Sequence, residues 1–161
     1  MTGSHIGKTI YVAEAVPATN TDAGFEALTW VKVEGVQTLP QLGVSHSNID
    51  VPDLETGFTS GLKGAGSGND STATFRLVDA DAGQEDIRDL ANASGTAANG
   101  SIKIVKGSGT DNAPTEGDPV QYAQGYFHSY LEIQGDDSTH EGFSVNFKQN
   151  ALTIDATEPA A

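Results

Sequence analysis

The 161-residue chain contains no cysteine. Without cysteine it has no disulfide framework, no thiolate nucleophile and no Cys-ligated zinc, so packing and hydrogen bonds must hold the fold. It also lacks a run near the ~20 apolar residues that a membrane-spanning helix needs, and residues 1–8 show neither an apolar core nor a cleavage site. Gly3, Ser4 and His5 resemble an expression scar and are left out of site reasoning. The sequence predicts a soluble product made in the cytoplasm.

Positive charge is scarce. Lys and Arg number 8 against 22 Asp and Glu, which gives a formal net charge of −14. Binding to nucleic acid through phosphate neutralisation needs the opposite balance, so tight DNA binding is excluded. An acidic surface is also typical of proteins from salty habitats, and this explanation stays open beside a functional one.

Motifs that carry chemistry are absent too. The run at 79–83, DADAG, places its glycine one position too early for a calcium loop and lacks a glutamate at the twelfth position, so it is better read as a helix cap. The glycine-rich run at 61–68 lacks the lysine-serine ending of a phosphate loop. The four histidines, at positions 5, 46, 128 and 140, have no metal-ligand spacing. We therefore expect no enzyme activity, no cofactor and no metal.

Alternating apolar and polar residues dominate the rest of the chain and predict a mainly β fold. Residues 17–24 and 107–119 read as loops because they are rich in Pro, Gly, Asn and Asp. In the second strand Trp30, Lys32 and Glu34 would share one side. The predicted strands, apart from the one at 125–134, are 8–13, 28–35, 71–78, 102–106, 142–148 and 151–154.

The strand at 125–134 has aromatic residues on both sides. Simple alternation places Phe127, Leu131 and Ile133 on one face and Tyr126, His128, Tyr130 and Glu132 on the other. A lone sheet normally keeps one side polar. Aromatic residues on both sides indicate that a helix covers one face and a partner subunit covers the other.

A helix around residues 84–90 is the candidate cover. Asp79 or Asp81 can cap it, and Ile87, Leu90 and Ala91 form one apolar stripe at helical spacing. One flanking helix and seven to nine strands predict an α+β, mainly β fold, an antiparallel sandwich or barrel.

Residues 38–69 form a long segment with weak alternation and many glycines. Structureless loops longer than ~12–15 residues are uncommon in compact domains, so this segment is predicted to be either a protruding hairpin arm or a flexible flap, and the run at 57–63 favours the arm. Residues 155–161 read as a flexible tail. The chain is expected to be one domain spanning 1–161.

In order and spacing, these elements resemble the tail-tube (major tail) protein of a long, non-contractile-tailed, siphovirus-type bacteriophage. The resemblance rests on the opening strand TIYV at 9–12, the strand VKVEGV at 31–36, the helix that begins at Gln84 between two strands, and the glycine-aromatic strand from Gly125. It spans nearly the whole chain.

The resemblance implies a virion protein that forms hexameric rings, which stack into a tube for DNA ejection. Its partners would be further copies of itself and the tip, tape-measure and terminator proteins, with DNA as a transient cargo and no membrane. It implies that residues 38–69 reach a neighbouring subunit. The candidate interface residues are Trp30, Phe58, Leu62, Tyr126, His128 and Tyr130. The acidic candidates for a negative tube lining are Glu34, Asp50, Asp53, Glu55 and Glu132.

Two alternatives remain open. A tube or terminator protein of a contractile tail, or of a type VI secretion-like system, would share this plan and differ in its partners. A β-sandwich carbohydrate-binding module could use Trp30, Tyr126 and Tyr130 to stack on sugar rings.

Overall fold

A computed structural model describes residues 6–161. The possible scar at Gly3–His5 and the first five positions of the expected 1–161 domain lie outside the described residues. Within 6–161 the chain forms ten strands and two α-helices, with short 3-10 turns at Gly95–Ala98 and Thr110–Asn112. The strands are β1 (Lys8–Ala13), β2 (Val31–Val33), β3 (Val36–Thr38), β4 (Val44–Asp53), β5 (Phe58–Gly68), β6 (Asp70–Arg76), β7 (Asn99–Lys106), β8 (Pro119–Ile133), β9 (Gly142–Gln149) and β10 (Ile154–Thr157), and the helices are α1 (Asp22–Glu26) and α2 (Ala82–Asn92).

Eight of these strands form one antiparallel sheet, in the order β2-β1-β7-β8-β9-β6-β3, with β10 also paired to β8. The long strand β8 organises the sheet. One edge of β8 pairs with β7, while the other pairs with β10 at its start and with β9 from Gly125 onward. Strands β2 and β3 end the order without pairing to each other, so the sheet does not close into a barrel. The predicted mainly β, antiparallel fold is confirmed.

The main core lies between the sheet and α2. Alternation along β6, β8 and β9 brings four phenylalanines inward, with ring centroids 4.9 Å apart for Phe75 and Phe143 and 5.1 Å apart for Phe127 and Phe147. Helix α2 adds Ile87 and Leu90, both buried. Its cap is Asp81, whose side chain accepts a hydrogen bond from the Gln84 N–H. The predicted helix and its apolar stripe therefore lie where the sequence placed them.

A smaller core lies on the opposite side of the β1–β7–β8 region. The ring of Phe25 stacks on Tyr122 with centroids 5.1 Å apart, and both side chains are fully buried. Phe25 belongs to α1, so the predicted loop at 17–24 is partly wrong: Thr21 caps a short helix there by accepting a hydrogen bond from the Gly24 N–H. Burying one large aromatic side chain stabilises the fold by about 1.5–3 kcal/mol.

A β-bulge at Ser129 changes the faces of β8. Ser129 has φ 57°, and the β8–β9 register shifts between His128 and Leu131. Beyond the bulge, Glu132 lies opposite the core residue Phe143, and Tyr130 stacks on Phe143 at 5.0 Å. The prediction that grouped Leu131 and Ile133 with Phe127 is therefore wrong, because the extra residue reverses the alternation.

The second, sixth and last strands also differ in extent from the sequence prediction. The strand predicted at 28–35 is only Val31–Val33, and Leu77 lies beyond β6 and is exposed. The last strand is Ile154–Thr157 rather than 151–154, so residues 155–157 of the predicted tail at 155–161 pair with β8.

An ion pair fixes the end of this last strand. The Lys103 ammonium lies 2.8 Å and 2.7 Å from the two carboxylate oxygens of Glu158, with both side chains largely buried. The ammonium also lies 5.2 Å from the ring centroid of Tyr11. The ion pair therefore anchors the chain beyond Thr157 to β7.

The Glu158 carboxylate also affects Tyr122. Burial, and to a smaller extent this carboxylate, raises the pKa of Tyr122 to about 12.

Gln84 joins α2 to the strands below it. Its side-chain N–H groups donate to the carbonyl oxygens of Glu34 and Arg76, each at 2.8 Å, and its Oε1 accepts from the Val78 N–H at 3.1 Å. The helix lies so close to β2 that a Cβ at Gly83 would collide with the Lys32 carbonyl. One buried amide therefore satisfies three backbone groups, one between β2 and β3, one at the end of β6 and one just after β6.

Replacing Gln84 with Leu keeps the volume and removes all three hydrogen bonds. Because unpaired buried backbone groups cost about 1–3 kcal/mol each, we expect the free energy of unfolding to fall by about 2–4 kcal/mol. Urea unfolding measures this loss. The exposed neighbour change Glu85→Gln is the control and should shift stability by less than about 0.5 kcal/mol. Equal effects of the two changes would contradict the assignment.

Asp118 organises the loop before β8. Its Oδ2 accepts hydrogen bonds from the backbone N–H of Thr115 at 2.8 Å, the N–H of Ser108 at 2.9 Å and the Thr115 hydroxyl at 3.1 Å. These bonds, led by that of the Thr115 backbone, lower the pKa of Asp118 to about 2. The ionised carboxylate is thus the form that the folded loop selects.

A lowered pKa makes the contribution of Asp118 depend on pH. It is fully present above the ordinary pKa of 3.8 and is lost as the pH falls toward about 2. We therefore expect Asp118→Asn to be less stable than the wild type at pH 7, with the gap shrinking between pH 4 and 2. Thermal unfolding across this range measures the gap, and a gap independent of pH would contradict the prediction.

Candidate assembly surface

Strands β4 and β5 form a hairpin outside the main sheet, here called the arm (residues 44–68). It lies within the predicted segment 38–69, and of the two structures proposed for that segment it is the hairpin. No residue of 44–68 is buried. A two-stranded hairpin is marginally stable alone in water, so the arm gains little from its own packing.

The two faces of the arm differ in chemistry. Cross-strand partners share a face, and the pairs Ile49–Leu62, Val51–Ser60 and Asp53–Phe58 lie on one side. We call Ile49, Val51, Phe58 and Leu62 the apolar arm face. Phe58 is 73% exposed and Leu62 is 58% exposed. The other side carries the pairs Asn48–Lys63, Asp50–Gly61 and Pro52–Thr59 and is polar.

The tip of the arm is a four-residue turn, 54–57. Asp53 Oδ1 accepts from the Glu55 N–H at 2.9 Å, which fixes the turn, and Gly57 takes φ 68°. Leu54 points away from the hairpin and is 99% exposed. The tip therefore presents an apolar side chain beside two carboxylates, Asp53 and Glu55.

The root of the arm is held by Gln149, which is 1% exposed. Its Oε1 accepts from the Gly43 N–H at 3.0 Å, and its Nε2 donates to the Ala151 carbonyl and the Thr153 hydroxyl, each at 2.7 Å. A Cβ at Gly68 would collide with the Gln149 carbonyl, so the strand passes where only glycine fits. The arm is therefore joined firmly to the end of β9.

Further bonds support the same root. The Asn69 backbone N–H donates to the Gly43 carbonyl at 2.9 Å, and its side-chain amide donates to the Gln41 carbonyl at 2.9 Å. The Lys148 ammonium donates to the Ser67 hydroxyl at 3.1 Å and to the Gly68 carbonyl. The arm leaves the body in a defined direction because both of its strands are fixed.

A second surface, partly exposed at one end and exposed at the other, lies on β8 on the side away from α2. It consists of Tyr126, His128, Leu131 and Ile133, and we call it the outer β8 face. The rings of Tyr126 and His128 lie 5.6 Å apart, and Nε2 of His128 lies 3.0 Å from a carboxylate oxygen of Asp70. Leu131 is 64% exposed.

The predicted interface residues separate into groups. Phe58 and Leu62 lie together on the apolar arm face, and Tyr126 and His128 lie together on the outer β8 face. Trp30 instead packs against the ring of Tyr122 at 5.7 Å, and its Nε1 donates to the Phe25 carbonyl at 3.0 Å. Tyr130 faces inward, so Trp30, Tyr126 and Tyr130 do not form one platform for a sugar.

The five acidic candidates lie on different elements. Asp50, Asp53 and Glu55 belong to the arm, Glu34 lies between β2 and β3, and Glu132 lies near the end of β8. Whether any of them lines a tube stays a prediction.

Sequence reasoning missed three apolar residues of the arm, Ile49, Val51 and Leu54. The alternation of Ile49 and Val51 with Asp50 and Pro52 was a usable signal for the first two. It also missed the exposure of Leu131 and Ile133, for which the bulge at Ser129 gives no sequence signal.

A shallow groove of about 380 Å³ between β1 and the helices brings Glu14 and Asp86 together. Burial, and then neighbouring carboxylates, raises the pKa of both. The two side chains are close enough to hydrogen-bond each other, whereas glycosidase carboxylates stand ~5–9.5 Å apart with the substrate between them. The pair lacks the geometry of that chemistry.

The described residues form neither a metal site nor a membrane-spanning helix. Across 6–161, no three His, Asp or Glu side chains are grouped to hold a metal ion. No helix in that range combines the length and apolar character needed to cross a membrane.

Comparison with known proteins finds likeness in structure. No family model matches the chain, and no curated protein matches it. The SPP1 tail tube superposes with a TM-score of 0.64 at 15% identity, covering 98% of this chain and 81% of the other. The sheath–tube complex of the PVC extracellular contractile injection system gives 0.63 at 12% identity, covering 94% and 88%. The tube-terminating cap of the anti-feeding prophage gives 0.64 at 11% identity, covering 98% and 93%. The predicted resemblance to tail-tube proteins is thus confirmed as a shared fold.

The root of the arm gives a testable consequence. Gln149→Leu leaves the Gly43 N–H and the Ala151 carbonyl without partners, so we expect a loss of about 2–4 kcal/mol in unfolding free energy. Hydrogen exchange should accelerate most at Gly43 and in β5. The control is Gln41→Leu at the same root, where the side chain is exposed. Unchanged exchange in β5 of the Gln149 variant would contradict the assignment.

Proposed function

We propose that this protein is a structural subunit of a tail tube, of the kind found in long, non-contractile-tailed bacteriophages. The observation that carries the proposal is the arm, a hairpin with one exposed apolar face on a body that has the tail-tube fold. In this proposal, copies form hexameric rings that stack into a conduit, and the protein resides in the virion tail.

The arm supports assembly because its own chain leaves its apolar face uncovered. Exposed contiguous apolar surface on a folded protein marks an interaction site far more often than a scattered single residue does. The outward edges of β4 and β5 also carry backbone groups that pair with no other strand in the described part of the chain. A neighbouring copy can cover both features.

Different surfaces of one chain meeting head to tail produce rings when the rotation closes. The arm and the outer β8 face are separate surfaces, so contacts between copies need not be symmetric. A ring with further rings stacked on it requires such contacts between different surfaces of neighbouring copies. Tip, tape-measure and terminator proteins would be the further partners.

The charge of the chain suits a conduit. With a net charge of −14, a wall made of these subunits repels phosphate and offers few sites where a duplex could stick. DNA would then pass as a transient cargo. We propose Asp50, Asp53, Glu55, Glu34 and Glu132 as candidates for a negative lining.

A tube or terminator protein of a contractile system is the second candidate. It is favoured by the TM-scores of 0.63 and 0.65 to the sheath–tube complex and the sheath/tube terminator of the PVC system, which lie on either side of the 0.64 to the SPP1 tail tube. Filaments that recruit no sheath would favour the first candidate, and a co-assembling sheath would favour the second.

Assembly tests the proposal. Salt screens repulsion between acidic copies, so the wild type should form hollow rings or tubes in negative-stain electron microscopy as ionic strength rises. The double change Phe58→Ser with Leu62→Ser should abolish them. It should alter the unfolding free energy by less than about 0.5 kcal/mol per site, because both side chains are exposed.

The matched control is Val16→Ser, which makes the same change of polarity at an exposed position outside the arm. This variant should assemble like the wild type. Tubes formed equally well by the double arm variant would overturn the role of the arm, and a monomeric wild type under every condition would count against the proposed function itself.

A further inference from the structure

We infer that a groove at the root of the arm receives the arm tip of a second copy, so that tip and root form one repeated contact. The inference rests on the proposed function and adds to it the surface that the arm occupies. Its basis is the shape, reach and charge of residues within a single chain.

The receiving groove has a volume of about 290 Å³ and lies between the root of the arm and the segment that follows β9. It is lined by Val44, His46, Gly66, Gly68, Asn150, Ala151 and Leu152. Leu152 is 62% exposed, so the lining of the groove includes apolar surface that is open to solvent. Because Gln149 and Gly68 fix the root, the groove is preformed.

The arm tip carries an exposed apolar side chain that can enter this groove. Leu54 is 99% exposed at the end of the turn. An apolar anchor that enters a preformed pocket is typical of the residues that carry most of the binding energy at an interface. One leucine and one groove on each copy make a head-to-tail contact possible at every copy.

The length of the arm prevents its tip from entering the groove at the root of the same arm. Strand β4 has ten residues, which span roughly 30 Å at about 3.3 Å per residue. The hairpin is paired from Val44–Gly68 to Asp53–Phe58, so its tip is held far from its own root. An arm tip that enters the groove must therefore come from a second copy.

Charge favours the same pairing. The tip half of the arm, residues 51–60, carries Asp53 and Glu55 and no Lys, Arg or His. None of the residues that line the groove is a carboxylate, and the Lys148 ammonium donates to the carbonyl of Gly68, which is one of them. In a chain of net charge −14, the groove is therefore a place where an acidic tip meets little repulsion.

The outer β8 face is a poorer receiver. Its exposed end, at Leu131 and Ile133, is flanked in sequence by Glu132, Asp136, Asp137 and Glu141, with no Lys or Arg between 131 and 141. An acidic tip placed there meets like charges. The two receivers can therefore be told apart by experiment.

Disulfide capture suits this test because the chain has no cysteine of its own. One batch of full-length protein carries Leu54→Cys and a second carries Leu152→Cys, and they are mixed under assembly conditions with mild oxidant. A disulfide needs Cα atoms within about 7 Å, so it reports direct contact. We expect a mixed 54–152 dimer, identified by mass spectrometry and lost on reduction. The matched control pairs Leu54→Cys with Leu131→Cys and should yield at least tenfold less.

The double variant Leu54→Cys with Leu152→Cys adds a second readout. A head-to-tail contact should produce a ladder of covalent oligomers on a non-reducing gel, whereas either single variant stops at dimers. Rings or tubes in the microscope without the 54–152 crosslink would overturn this inference and leave the proposed function standing. A preferred 54–131 crosslink would overturn it in the same way. Neither crosslinks nor assemblies would contradict both.

Discussion

The constraint on which the rest depends is that the arm has an apolar face its own body does not cover. One side of the two-stranded hairpin is lined by Ile49, Val51, Phe58 and Leu62, and no other strand within residues 6–161 pairs with it. A hairpin of this kind is marginal alone and loses exposed apolar surface only by meeting another molecule. The exposed face therefore marks an interaction surface, and under the proposed function the molecule that covers it is another copy of this chain.

The body can be understood as the support for that arm. Gln149 and Lys148, at the end of β9, hold both strands of the root, and β9 itself lies in the middle of the main sheet between β8 and β6. Helix α2, locked through Gln84, covers one face of the same sheet. Loosening the core would thus reorient the arm, which links packing inside one subunit to geometry between subunits.

Much of this could be predicted from the sequence, and the failures have physical causes. Period-2 alternation located β1 and the apolar stripe predicted the face of α2, because burial on one side dictates both patterns. The inward orientation of the Tyr130 side chain was missed because Ser129 adopts φ 57°. No neighbouring glycine or asparagine gives a sequence signal for this backbone conformation. The pairing of 155–157 was missed because it depends on a partner, β8, that is distant in sequence. At the candidate site, Phe58 and Leu62 were chosen through the family resemblance and their place in an interface stays a prediction, whereas the hydrogen bonds of Gln149 at the arm root depend on residues brought together only in three dimensions.

Hydrogen exchange measured by mass spectrometry on free subunits and on assembled tubes tests the central claim most directly. The arm is solvated in the free subunit, so its outward amides should exchange fast there and slow down strongly on assembly. We predict that the largest decrease in amide exchange rate on assembly falls within residues 44–68. Tubes in which these residues exchange as fast as in the free subunit, while other surfaces become protected, would contradict it.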